Sequence, residues 1–135
     1  MIIANLTVAN IARSVGFYRD VIGLEVMMVL GPGNTMLDDP DIPNDAVFAA
    51  LSIAGSQLML QTRAYARSVV PDGDGDAGTS WIYIRDLDPS PILERLTEPP
   101  LKGPEHTWYG MKEIHLRDPD GHVVCVGMPE GAGPR

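Results

Sequence analysis

The feature that most constrains this chain is that its pattern of apolar runs and turn residues plays through once and then begins again. In each half a β-prone stretch is followed by a helical stretch and then by three further strands. In the first half the strands are expected over residues 2–8, 25–30, 46–53 and 57–61. Ile11, Val15, Tyr18 and Ile22 recur at helical spacing between the first two, with Asn10 as the N-cap and Gly23 as the stop. In the second half strands are expected over 80–84, 102–108, 112–117 and 122–127, with a short helix over 89–97. Between the halves lies Pro71-Asp72-Gly73-Asp74-Gly75-Asp76, a run that favours an exposed, flexible connection. The organisation expected is therefore a first module over 1–62, a linker over 63–78, a second module over 79–128 and a flexible tail over 129–135.

With 135 residues, 44% of them hydrophobic, the chain can bury a real core. No apolar stretch approaches the roughly 20 residues of a membrane helix, so no membrane is expected as a partner. The opening residues lack the charged and apolar regions of a secretory signal. Cys125 is the single cysteine and cannot form an internal disulfide. The cytoplasm is the expected location. The formal net charge is −8, from 18 acidic and 10 basic residues, which argues against nucleic acid and would favour cationic ligands.

Two segments carry a family resemblance. Residues 13–24, Arg-Ser-Val-Gly-Phe-Tyr-Arg-Asp-Val-Ile-Gly-Leu, are similar to the S-x-x-F-Y-x-x-x-L-G helix of glyoxalase and bleomycin-resistance proteins. Residues 108–122, from Trp108-Tyr109-Gly110 through Glu113 and His115 to Asp118-Pro119-Asp120-Gly121-His122, resemble the W-G-x-E-x-x-L-R-D-P-x-G-N stretch of bleomycin-resistance-like members. His122 stands where that pattern ends in Asn. The chain thus resembles the vicinal-oxygen-chelate superfamily over residues 2 to 128. The resemblance implies an α+β fold of paired βαβββ modules, with curved mixed sheets enclosing a cavity and helices outside. It also implies a homodimer. Within the signatures, Phe17 and Tyr18 are expected to anchor the first helix on its sheet, and Asp118 to Gly121 to form a tight turn.

Because strands have a period of two, one register choice sorts every side chain. Ala4, Leu6, Val8, Leu58, Leu60, Ile82, Ile84, Ile114, Leu116, Val124 and Val126 make a cleanly aliphatic face suited to packing on helices. The opposite face then presents Ile3, Asn5, Thr7, Gln57, Met59, Gln61, Thr79, Trp81, Tyr83, Glu113, His115, Arg117, Val123 and Cys125. That mixture of aromatics, amides and ionisable groups suits a pocket for a sizeable, partly polar small molecule.

The resemblance places the metal ligands of metal-dependent relatives at Ile3, near Met59, at Thr79 and at Cys125. Ile3 and Met59 offer no suitable donor and Thr79 is a poor one, so neither metal nor other cofactor is expected. His106 and His122 are expected to be uninformative, His122 as an exposed residue after a turn. His115 and Glu113 share a face and are the candidate catalytic pair, able in principle to act as acid and base or to hold an ion with a third donor. No nucleophile elbow, phosphate loop, dinucleotide fingerprint or Cys-x-x-Cys is present.

The candidate ligand-binding residues are Trp108, Trp81, Tyr83, Met59, Phe48, Asn5, Glu113 and His115. Trp108 and Trp81 are expected to stack on aromatic or cationic groups, and Met59, Phe48 and Met111 to give an adaptable lining or fill the core. The function expected is metal-independent sequestration of a bulky, aromatic or cationic, antibiotic-like small molecule. An enzyme of the same fold (a lyase, isomerase or dioxygenase working through His115 and Glu113) is the alternative, and a general metabolite carrier or regulatory domain is a third.

Overall fold

The computed structural model describes residues 1–38, 40–71 and 80–130, and the chain divides into two compact units, Met1–Gly78 and Thr79–Arg135. Thr79, residues 72–78 of the expected linker and residues 131–135 of the expected tail lie outside the described residues.

The first unit runs β1 (Ala4–Val8), α1 (Ile11–Val15), β2 (Glu25–Gly31), β3 (Thr35–Met36), β4 (Phe48–Ile53), β5 (Ser56–Thr62) and α2 (Arg63–Val69). Asn10 caps α1 by accepting a hydrogen bond from the Arg13 amide at 2.9 Å. From Gly16 to Ile22 the helix widens into π-helical turns, and it ends at Gly23, whose φ of 103° a side chain would resist. Ile11, Val15, Tyr18 and Ile22 are all buried, as their spacing requires. The sheet order is β1-β5-β4-β2-β3, with β1 parallel to β5 and the other pairs antiparallel. Strands β4 and β5 are joined through Ala54 and Gly55, both at positive φ, the backbone twist that two-residue hairpin loops favour.

The expected linker over 63–78 is corrected in part here, and one strand is added. Residues 63–69 are helical, because Thr62 caps α2 from the Tyr65 amide and the Tyr65 ring packs 5.6 Å from that of Phe48. Helix-capable residues up to Val69 precede the Asp-Gly run, which masks them in a sequence-based reading. The Pro-rich stretch after β2 also contains a short edge strand, β3, paired with Leu30 and Gly31.

The second unit runs β6 (Trp81–Arg85), α3 (Pro89–Arg95), β7 (Lys102–His106), β8 (Met111–Arg117) and β9 (Val123–Pro129). Its sheet order is β6-β9-β8-β7, with β6 parallel to β9 and the rest antiparallel. Apart from the added β3, this repeats the order of the first sheet. Each unit is therefore a βαβββ module, and the fold is α+β.

Ile114, Leu116, Val124 and Val126 are buried on one face of the second sheet. Helix α3 lies on that face: its Ile92 is buried, and its Ser90 hydroxyl accepts from Lys112 Nζ at 2.7 Å, Lys112 sharing the face of Ile114. The face sorting expected from the sequence holds in this unit, and it leaves the opposite face free of helix α3.

His122 departs from expectation. It is 1% exposed, and its Nδ1 accepts the Ser80 amide at 3.2 Å. Its own amide donates to Asp118 Oδ1 at 2.9 Å, as does that of Asp120. The Asp-Pro-Asp-Gly turn is thus built inward around Asp118, and the residue after it ties the turn to the start of β6. A turn position alone suggested exposure; the capping carboxylate reverses that.

Among the described residues, no helix is long and apolar enough to cross a membrane.

Candidate functional site

The register of the second sheet brings its functional side chains into rows. Tyr83 on β6 lies beside Cys125 on β9, Cys125 beside His115 on β8, and His115 beside Lys102 on β7. The next row carries Gly127, Glu113 and Glu105. The β7–β8 hairpin turns through Thr107–Gly110: the Thr107 hydroxyl accepts from the Met111 amide at 2.9 Å, and Gly110 takes a φ of 83°. That turn carries Trp108 and Tyr109.

These elements surround an open cavity of about 640 Å³, bordered by Trp81, Tyr83, Trp108, Tyr109, Glu113 and His115 among others. Its lining includes a carboxylate. Glu113 is only 2% exposed, and each of its oxygens accepts a phenol: Tyr83 donates to Oε2 at 2.6 Å and Tyr109 to Oε1 at 2.7 Å. Two hydroxyl donors offset part of the cost of burying this acceptor. Gly127 makes the arrangement possible, since a Cβ there would lie 2.7 Å from Tyr83 Oη and 2.9 Å from Glu113 Cγ.

The electrostatics follow from the contacts. The hydrogen bond to Glu113, followed by desolvation, pushes the Tyr109 phenol up to about 12. For Tyr83 the same two causes act in the opposite order, burial first, and its phenol is raised further. Burial, then the nearby Glu113, raises the Cys125 thiol to about 12, so it is a protonated, unreactive thiol at neutral pH.

Around this polar floor stand aromatic walls. Trp81 is 69% exposed and Trp108 72%, values far from those of core residues. The Trp81 ring meets the His115 imidazole edge-on at 5.8 Å, and Trp108 meets Tyr109 edge-on at 5.3 Å. Rings exposed to this degree do not fill the core and are available to stack on a ligand.

The sequence-selected residues divide between the units. Trp81, Tyr83, Trp108, Glu113 and His115 converge on the cavity of the second unit. Asn5, Met59 and Phe48 belong to the first unit, where Asn5 pairs with Met59 in register and Phe48 with Gln61. There Asn5 donates to Gln61 at 3.2 Å, Met59 is half-buried, and Phe48 is buried against Tyr65. Met111 is buried. His106 pairs with Glu130 at 2.5 Å.

Sequence reasoning did not single out Tyr109, Lys102, Glu105 or Gly127. Tyr109 stood inside the quoted signature next to Trp108, and its phenol is the signal that could have been followed. Lys102 and Glu105 reach the cavity only through a strand with a register shift, which no spacing announces.

The resemblance places the family's metal ligands at Ile3, near Met59, at Thr79 and at Cys125. Ile3 and Met59 bring an aliphatic chain and a thioether, neither suited to an ion that prefers oxygen or nitrogen, and Thr79 lies outside the described residues. Cys125 is a buried thiol.

Comparison with known proteins matches this fold. The sequence profile of the Glyoxalase/Bleomycin resistance protein/Dioxygenase superfamily matches residues 3–126. Among solved structures, the chain is similar to a lactoylglutathione lyase from Agrobacterium tumefaciens, at 21% identity and a TM-score of 0.67, covering 100% of this chain and 97% of that one. It is also similar to TnmS3, an antibiotic binding protein from Streptomyces sp. CB03234, at 16% identity and a TM-score of 0.65, covering 94% and 93%. A superfamily member from Sphaerobacter thermophilus DSM 20745 is similar at 19% identity and a TM-score of 0.62, covering 93% and 94%. None of the curated proteins compared with the chain matches it. At these identities the solved structures speak for the fold alone, and the profile, spanning nearly the whole chain, supplies the family: this protein belongs to the glyoxalase/bleomycin resistance protein/dioxygenase superfamily.

Proposed function

We propose that this chain binds and sequesters a bulky, aromatic or cationic small molecule of the antibiotic type, and that capture needs no metal ion. The observation that carries the reading is the pairing of exposed indoles, Trp81 and Trp108, with a buried carboxylate, Glu113, in one open cavity of about 640 Å³. Indole faces attract planar or cationic groups by about 0.5–2 kcal/mol per contact. A cationic group drawn between them meets Glu113 at the floor, where low local dielectric strengthens the attraction. The net charge of −8 favours the approach of such a ligand. A homodimer belongs to the same proposal, and light scattering after size exclusion tests it.

Intrinsic tryptophan fluorescence tests the binding reading. Titration with a panel of glycopeptide and planar quinone antibiotics, in the presence of a chelator, is expected to give saturable quenching by at least one member. A flat response across the panel overturns the reading.

A second reading is an enzyme of the lyase, isomerase or dioxygenase type working through His115 and Glu113. It is favoured by the convergence of Glu113, His115 and Cys125, whose donor atoms all lie within 4.8 Å of one another. Turnover of a small carbonyl or catechol substrate, abolished by H115A, would move the assignment from capture to catalysis.

A further inference from the structure

The geometry points to a zinc site in the second unit formed by Glu113, His115 and Cys125, a donor set that shares only Cys125 with the positions the resemblance assigns to the family's metal ligands. The inference goes beyond both readings above. It shares Glu113 with the capture reading and all three side chains with the second reading, but stacking on the indoles neither needs the ion nor supplies it.

Three observations converge. First, β8 and β9 deliver the donors by register: Glu113 and His115 are two residues apart on one face of β8, and Cys125 sits directly beside His115. Their donor atoms lie within 4.8 Å of one another. Ligand atoms around a tetrahedral zinc, bound at roughly 2.0–2.3 Å, are roughly 3.4–3.7 Å apart, so small rotamer adjustments of about 1 Å close the set. Second, His115 Nδ1 is buried with no hydrogen-bond partner. A polar ring nitrogen left this way carries a desolvation cost of about 1–3 kcal/mol, which an ion or an ion-bound water would relieve. Third, the donors have an outer shell. The hydroxyls of Tyr83 and Tyr109 fix the Glu113 carboxylate, each taking one lone pair and leaving another on each oxygen. The edge-on contact with Trp81 restrains the imidazole.

Mixed sulfur, nitrogen and oxygen donors select a borderline-soft ion, which favours zinc over magnesium or calcium. The chemistry balances simply. Cys125 enters as a thiol and binds as a thiolate; its proton leaves to solvent. A carboxylate and a thiolate would then neutralise the divalent charge, and the neutral imidazole would complete three protein ligands.

The test uses the full chain stripped with chelator, titrated with zinc and separately with cobalt(II). The expected result is one ion per chain, release of close to one proton measured by calorimetry in buffers of different ionisation enthalpy, and a thiolate-to-cobalt charge-transfer band. C125S is expected to lose the band and the proton release, and H115A to weaken zinc binding at least tenfold. H106A, outside the cluster, is expected to bind as the parent does. Far-UV circular dichroism of each variant shows that it is folded. A folded parent that gives no charge-transfer band overturns the site, as does zinc affinity unchanged in both C125S and H115A. The antibiotic titration in chelator is a separate measurement, so failure of either proposal leaves the other standing.

Discussion

The Tyr83 hydroxyl reaches Glu113 Oε2 at 2.6 Å by passing over the bare backbone of Gly127, from one strand to the next but one. This single relationship orders the cavity floor, because Glu113 in turn accepts from Tyr109 on the turn that carries Trp108. A methyl group at 127 has no room. G127A is expected to push Tyr83 off the carboxylate and to destabilise the protein by about 1–3 kcal/mol, the usual cost of overpacking. Urea denaturation measures it. Y83F, which removes only the hydroxyl, is expected to cost about 1.5–3 kcal/mol, as a hydrogen bond to a charged group does. An unchanged midpoint in both variants would show that the link bears no strain.

The two raised phenols make the protein sensitive to alkali. The sign is fixed by which form the fold prefers. Folding favours the protonated phenols, so the stability they contribute is fully present below the unfolded tyrosine value near 10. It is lost as pH rises from there through the folded value, about 12 for Tyr109. Denaturation midpoints are therefore expected to fall between pH 10 and 12. E113Q, which removes the carboxylate that raises Tyr109 and, after burial, Tyr83, is expected to shift phenolate absorbance titration to lower pH. Identical titration curves for parent and E113Q would contradict the assigned cause.

Cys125 is expected to resist alkylation in the native state. Burial raises its thiol to about 12, leaving little thiolate at pH 8. Iodoacetamide at pH 8 is expected to modify the unfolded chain in urea at least tenfold faster than the native chain. Mass spectrometry reads both rates, and equal rates would contradict the buried position.

His122 is expected to matter for stability and not for the ligand. H122A removes a fully buried ring and leaves the Ser80 amide without its acceptor, at a cost of about 2–4 kcal/mol. Thermal unfolding measures the loss, while ligand affinity of the folded variant is expected to stay within about twofold of the parent.

Legibility in the sequence followed the physics of each signal. Ile11, Val15, Tyr18 and Ile22 announced a buried helical face because helical periodicity is set by local geometry, and the two-residue period of β8 and β9 sorted Ile114 from His115 equally well. The repeated strand order followed from the repeated pattern. What could not be read depended on partners distant in sequence. Burial of His122 rests on the Asp118 carboxylate and the Ser80 amide, 42 positions away. Convergence of Tyr83 with Glu113 requires a third strand with Gly127 at one position. The helix at Arg63–Val69 was hidden by the turn-rich run that follows it. At the site, the indoles were visible as residues, but their exposure was not, since a tryptophan on a strand fills a core as readily as it lines a cleft.

The central claim is that Trp81 and Trp108 are a ligand-binding surface. Calorimetric titration of the panel's binding member into parent, W81A and W108A, all in chelator, tests it most directly. The expected result is a loss of affinity of about 2–30-fold in each variant, the factor that corresponds to about 0.5–2 kcal/mol per aromatic contact. Undiminished affinity in both variants would contradict it.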